Sequence, residues 1–522
     1  MSNENLKMQP PAPQPPADSE ELWQFYEEYE FPSKAVEALH NALAFFARDV
    51  FYAFDVKGTY PSLVGEVSRI EDYVTRSVAM LAGFANKNQI IVSKNKAIQD
   101  LLSFYQEAFN LSPEEFSVLE VSDPFSKEAI LRAVKTAGLS EKEEILNFIL
   151  DRMQFFGYSE EIFANIKSAL LELGVDPGEF EQALEGRGIK KDSLNVTSFE
   201  SPSHKLLFRR NLADFEGGGK RFNLDFIKAS KLFDTFQKEA VPKWLRDKKL
   251  VFVKRADLAS GAGIKKFSVS DNKGISELKS YFFALRQENI DLANVLVEEA
   301  AELGPNSKEG SLQFYIMANV EDDLEKDTED NSEKNATDNF VVKYLGITEQ
   351  IIEGNEHQGN IVSFSKGFAD SLISESDIEK IQAFVLKLAK ETGYQGYISL
   401  DFIVDKFGAP KLLEANARIT GATAPLAVAT YEQITRLEDS IFVASRNTIE
   451  LSPGAEIDAK KLLEILRESD LLYTKEKQVG LIPALIALPE KIGFIAVAKS
   501  MGKALEYIEQ AMKELPVKKD RV

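Results

Sequence analysis

The stretch from Gly396 to Gly421 concentrates side chains that could hold a divalent cation. It reads Gly396-Tyr-Ile-Ser-Leu-Asp401-Phe-Ile-Val-Asp405-Lys-Phe-Gly408-Ala-Pro-Lys-Leu-Leu-Glu414-Ala-Asn416-Ala-Arg418-Ile-Thr420-Gly421. Two β-prone runs flank a turn at 406–410, which predicts a hairpin. Asp401 lies in the first run and Glu414 closes the second, so the two carboxylates can stand side by side on adjacent strands. Asn416 shares the face of Glu414 because strand side chains repeat every second residue, and Arg418 continues it. Two carboxylates and an amide oxygen form a hard, oxygen-only donor set suited to Mg²⁺ bridging nucleotide phosphates. An arginine beside them can meet an anionic transition state. A half-buried hairpin without chemistry would also alternate polar and apolar residues. Alternation alone does not explain why Asp, Glu, Asn and Arg share one face.

Three earlier segments complement this one. Leu250–Ile264 reads as a strand that delivers Lys254, then a loop with Ser260, Gly261 and Gly263, then more strand. Small loop residues let backbone N–H groups approach phosphate oxygens, and the lysine adds a point charge. Asn294–Ala301 is an apolar strand running through Val297 into Glu298 and Glu299; its backbone could read an adenine edge while a carboxylate accepts from the exocyclic amine. The third segment is Tyr344–Gln350, with Thr348, followed by 354–360, which carries His357 and Gly359. His357 stands among Gln and Gly, which argues against a core position.

These residues need elements to hold them. With 522 residues the chain predicts about three domains. A Pro-rich tail occupies 1–19. From Glu20 to about Ser140 the pattern is mostly helical, as over Ala35–Val50 and Val67–Leu81, with short strands at Gln89–Val92 and Phe116–Val121. Such alternation implies a small α/β domain with a parallel sheet. Glu141–Gly186 reads as helical and acidic. After Gly217–Gly219, a helix is expected over Leu224–Ala240, ended by Pro242. Strong strands and glycine turns dominate from Leu250, interrupted by a charged insertion at 321–339. The stretch 451–522 predicts two helices and an apolar segment at Leu481–Leu488, a small closing α/β subdomain.

Composition narrows the function. The 83 acidic residues outnumber 62 basic ones, a net charge of −21, which argues against general affinity for nucleic acid or an anionic membrane. The chain has no cysteine, so thiolate catalysis and Cys-ligated metal are excluded, and its three histidines are far apart. Neither a signal-peptide core nor an apolar run of about 18 residues is present, giving a cytoplasmic expectation.

Lys254 with its glycine loop, Val297-Glu298-Glu299 and Asp401…Glu414-x-Asn416-x-Arg418, in this order, resemble the ATP-grasp superfamily over roughly residues 225–430. The resemblance implies an α/β (α+β) fold in which ATP lies between two α+β subdomains. A pre-ATP-grasp domain at 20–200 precedes the ATP-grasp unit at 201–450. It implies ATP and Mg²⁺ (or Mn²⁺), with Asp401, Glu414 and Asn416 as metal ligands. Lys254 is then the second phosphate lysine, and the first is Lys231 with Lys228 as its rival. Ser260, Gly261 and Gly263 line the phosphates, and Val297, Glu298 and Glu299 the adenine side. The ribose acid is open between Glu302 and Gln313.

Thr348-Glu-Gln350, the His357-x-Gly359 turn and Asn416–Thr423 most resemble the branch of carboxylate–amine ligases that join amino acids or peptides through an acyl phosphate. Arg418 and His357 are then the catalytic candidates, and a homodimer is the common assembly. The uncharged run Ile419–Pro425 departs from biotin carboxylase, which uses a charged residue there. Two other functions compete: activation of bicarbonate as carboxyphosphate, and an ATP-binding scaffold without turnover.

Overall fold

The computed structural model describes residues 33–46, 51–53, 89–93, 97–109, 116–120, 126–155, 160–195, 198, 200–215, 219–238, 241–256, 264–318, 340–353, 356–436, 440–455, 457–487 and 491–518. The tail 1–19, the helix expected at 67–81, the loop carrying Ser260, Gly261 and Gly263, and the insertion 321–339 lie outside them.

Three sheets organise the described residues. The first is parallel throughout: β1 (Phe51–Ala53), β2 (Gln89–Ser93), β3 (Phe116–Glu120) and β4 (Met153–Phe155), in the order β3-β2-β1-β4. β2 and β3 are the two predicted strands. β4 falls inside the stretch expected to be helical: one turn of π-helix at Phe148–Arg152 leads into three residues that pair with β1. So short a strand carries no period of its own.

The second sheet is antiparallel: β5 (Phe226–Lys228), β6 (Leu250–Arg255), β7 (Ile264–Ser268) and β8 (Val295–Glu299), in the order β5-β8-β6-β7. The expected Leu224–Ala240 helix is therefore shorter. Phe226–Lys228 is drawn into strand by pairing with β8, and the helix is Ala229–Phe236. Strand alternation then divides the faces. Val251, Val253, Val295 and Val297 join Leu232, Phe233, Phe236, Leu278 and Phe282 in a separate core. Phe252, Lys254, Leu296 and Glu298 consequently project from the other face.

The third sheet has eight antiparallel strands. These are β9 (Glu309–Ala318), β10 (Phe340–Glu353), β11 (Glu356–Val362), β12 (Gly396–Val404), β13 (Pro410–Asn416), β14 (Phe442–Glu450), β15 (Gly480–Ala487) and β16 (Lys491–Ala498). Their order is β13-β12-β9-β10-β11-β14-β16-β15. The C-terminal stretch thus adds two strands to this sheet, where one apolar segment was expected, and its helices are Ala459–Glu468 and Met501–Glu514. At the β11–β14 contact a Cβ on Gly359 would lie 1.8 Å from the Ser445 carbonyl oxygen, so only glycine fits.

The helix Lys205–Ala213 straddles the second and third sheets. Leu206 packs on Ala256 and Leu296 beside β6 and β8, whereas Phe208 and Leu212 enter the large core, with Phe208 edge-on to Phe384. Among the described residues no helix is long and apolar enough to cross a membrane.

Candidate active site

The β12–β13 hairpin forms as its sequence implies, with one addition that decides the chemistry. Phe402 pairs with Leu412, but Asp401 pairs with Glu414 and Ser399 with Asn416. Leu413 is therefore an extra residue, a β-bulge. Without it Asp401 would face Leu413, and Glu414 would point through the opposite side of the sheet, because a one-residue slip reverses every side chain. The bulge puts Asp401, Glu414 and Asn416 on one face.

Asp401 is held from both sides. Ser311 Oγ on β9 donates to its Oδ1 at 2.6 Å, and Asn416 Nδ2 donates to its Oδ2 at 3.2 Å. Because Asn416 donates through nitrogen, its Oδ1 remains an acceptor for a cation. Burial and the adjacent Glu414 push the Asp401 carboxyl up to about 7, against the bonds from Ser311 and Asn416 and the charge of Arg418. Glu414 moves the other way. Burial would raise it, but Lys205, Lys254 and Arg418 together hold it below the ordinary carboxylate value. Two adjacent acids with opposed shifts titrate as a coupled pair. Among the described residues no three His, Cys, Asp or Glu side chains converge; the donor set here is two acids and an amide, which fits Mg²⁺.

The cations come from elsewhere in the fold. Lys254, nearly buried on β6, donates to Glu298 Oε1 at 2.7 Å, and Arg209 contacts the other oxygen of Glu298. Lys205 Nζ lies 3.9 Å from Glu414 Oε2. Lys205, Arg209, Lys254 and Arg418 thus surround Glu298, Asp401 and Glu414, a formal excess of one positive charge. Sequence reasoning missed Lys205, Arg209 and Ser311. A lysine and an arginine one helical turn apart were the available signal for the first two, but such a pair also reads as a solvated face.

Other expected residues have different surroundings. Lys231 and Lys228 are exposed. Val297 faces the small core, and Glu299 binds Lys248 at 2.5 Å and accepts from the Asp225 N–H. Of the two ribose candidates, Glu302 is ion-paired with Lys406 at the surface, and buried Gln313 accepts from the Tyr397 hydroxyl at 2.5 Å. Glu309, on the same face of β9 as Ser311, is a half-buried carboxyl raised by burial. His357 stands at the start of β11, three strands from β12, about 14 Å across the sheet at ~4.8 Å per strand. Asn447 Nδ2 lies 3.2 Å from its Nδ1 and can only donate; Nε2 therefore carries the proton and donates to Asn360 Oδ1 at 3.3 Å. The ring stands between Asn360 and Asn447.

No protein-family model matches the chain, and no curated protein matches it in sequence. Among solved structures it is similar to biotin carboxylase from Campylobacter jejuni, in complex with a β,γ-ATP ligand (12% identity, 90% of this chain and 91% of that one, TM-score 0.45). It is also similar to N5-carboxyaminoimidazole synthetase from Staphylococcus aureus with ADP (9% identity, 88% and 96%, TM-score 0.44). A third is the biotin carboxylase domain of Hydrogenobacter thermophilus 2-oxoglutarate carboxylase with MgADP and bicarbonate (12% identity, 90% and 90%, TM-score 0.42). Likeness at this level fixes no chemistry, which rests on the side chains above.

Proposed function

We propose that this chain is an ATP-grasp ligase that activates a carboxylate with ATP and transfers the acyl group to an amine, releasing ADP and phosphate. One observation carries the reading: cations from the four-stranded sheet and its neighbouring helix bear on a carboxylate pair of the eight-stranded sheet. Lys254 and Lys205 both depress the Glu414 carboxyl across that junction. Such a junction suits a polyanion that brings its own metal.

In this reading Lys205 takes the role first given to Lys231, because it is buried beside Glu414 whereas Lys231 is exposed. Lys205 and Lys254 neutralise phosphate oxygens and orient the chain of phosphates. Asp401, Glu414 and the Asn416 oxygen hold Mg²⁺ or Mn²⁺, which when bound supplies charge neutralisation on those oxygens. Arg418 steadies the transferring group and the acyl phosphate carboxyl. Glu309 is the ribose acid. The backbone of Val297–Glu299 meets adenine, and Ser260, Gly261 and Gly263 are assigned to the phosphates, as their small side chains imply. His357, beside Asn360, serves the amine-bearing substrate, an amino acid or peptide. The ATP-grasp unit spans 201–450, with 451–522 extending its large sheet; a cytoplasmic homodimer completes the reading.

The test is ADP release over amino acids and short peptides, singly and in pairs, with mass detection of the product. Release that needs a carboxylate paired with an amine supports the ligase. Release with bicarbonate alone would replace it by a carboxylating activity, and binding without release by a scaffold.

A further inference from the structure

Arg209 has no role in the reading above, yet it is the largest wholly buried side chain among the described residues. Its guanidinium spans two sheets. On one side Nε contacts Glu298, whose other oxygen holds Lys254 at 2.7 Å. On the other side Nη1 donates to the Leu412 carbonyl at 2.6 Å and Nη2 to the Leu413 carbonyl at 3.0 Å. Leu413 is the bulge residue that turns Glu414 onto the face of Asp401. A bulge leaves backbone groups without ladder partners, and a planar fork of fixed geometry can satisfy two carbonyls at once. The helix that carries Arg209 is seated in both directions, through Leu206 on β8 and through Phe208 in the large core.

We propose that Arg209 is the positioning residue of the nucleotide site. One guanidinium fixes the phosphate lysine through Glu298 and locks the bulge that aims Glu414, so it sets the spacing between cation and acid pair. This rests on the nucleotide-site reading given above. Arg209 touches neither substrate nor metal; it acts through Lys254 and Glu414. A lysine cannot replace it, because one ammonium cannot keep both the Glu298 contact and two divergent carbonyl bonds.

The test uses the full chain and two probes, Mg·AMPPNP and AMP, with affinities from titration calorimetry. Backbone exchange is read by mass spectrometry on peptides covering 410–418. Arg209→Met should weaken Mg·AMPPNP at least ~10-fold while AMP changes less than ~2-fold, since only contacts to the outer phosphates and metal depend on the spacing. Exchange at 410–418 should quicken. Arg209→Lys should recover less than half of the lost affinity on a logarithmic scale. Glu298→Gln, which keeps the carbonyl bonds, should weaken Mg·AMPPNP without quickening exchange at 410–418; it also serves if Arg209→Met does not fold. The double variant should be no weaker than Arg209→Met alone, as members of one unit are not additive. Equal losses for both probes, unchanged Mg·AMPPNP affinity in Arg209→Met, or the same exchange in Glu298→Gln as in Arg209→Met would each overturn the proposal. A wild type that binds neither probe would instead overturn the nucleotide site itself, and this inference with it.

Discussion

Among the described residues two Arg–Glu pairs have almost fully buried side chains, and their surroundings differ. Arg436 and Glu432 lie four residues apart on the helix Thr423–Arg436, 3.2 Å from each other. Tyr473 donates to the same glutamate at 2.6 Å, and Arg436 donates to the Gln478 carbonyl at 2.7 Å. That pair closes within one helix, and Tyr473, which bonds to it, stacks on Phe109. Arg209 and Glu298 are 89 residues apart in sequence, lie between the two cores, and bond onward to Lys254 and to the backbone of β13. Identical chemistry therefore serves cohesion in one place and alignment in the other; what separates them is whether the pair lies within one core or between two.

The comparison can be broken most directly at the closed pair. Glu432→Gln leaves Arg436 buried without its counter-charge and should cost about 3–5 kcal/mol in denaturant unfolding, with Mg·AMPPNP affinity unchanged. A loss of affinity would mean that the sealed pair also serves the site. At the junction the expected outcome is the reverse. Glu414→Ala combined with Asn416→Ala should cut ADP formation on the order of 10²–10³-fold with little change in unfolding midpoint.

A smaller effect separates two lysines. Lys205→Met should weaken Mg·AMPPNP about 10-fold, the worth of one charge-assisted bond, whereas exposed Lys231→Met should change it by less than about 2-fold. The smallest concerns a half-open pair, Arg221 and Asp377, joined by two bonds of 2.8 Å. Burial would raise Asp377, but bonds from Arg221 and Ser374 outweigh it and hold the carboxyl below its ordinary value. A carboxyl lowered on folding adds stability above its unfolded pKa and loses it as pH falls through the folded value. Asp377→Asn should therefore cost about 1 kcal/mol at pH 6 and progressively less below about pH 4 in urea unfolding.

Much of the site was legible because strand periodicity is a strong signal. The hairpin carrying Asp401, Glu414 and Asn416 and the strand bearing Lys254 follow from alternation and a turn, and β2 and β3 from short β-branched runs. The legibility stopped where a residue's role depends on contacts distant in sequence. Lys205 and Arg209 acquire meaning only when β8 and β13 arrive beside them. Glu298 reads as a strand-end acid until Lys254 and Arg209 are placed on its two oxygens. The bulge at Leu413 is invisible to pattern reading, since a hairpin without it fits the same residues, yet it decides which way Glu414 points. β4 and β5 were missed because three-residue strands carry no period, and β16 because only the apolar segment before it was singled out. His357 was found but its partners, Asn360 and Asn447, were not.

The place of β13 in the sheet order has one more consequence. It is one of the two edge strands of the eight, so its outward backbone groups would offer a template for an intruding strand from another molecule. Arg209 occupies the carbonyls of Leu412 and Leu413, and the Ser203 hydroxyl accepts from the Ala417 N–H just beyond. The side chain that aligns the chemistry also blunts an adhesive margin, so chains lacking it should self-associate more readily during refolding at high concentration.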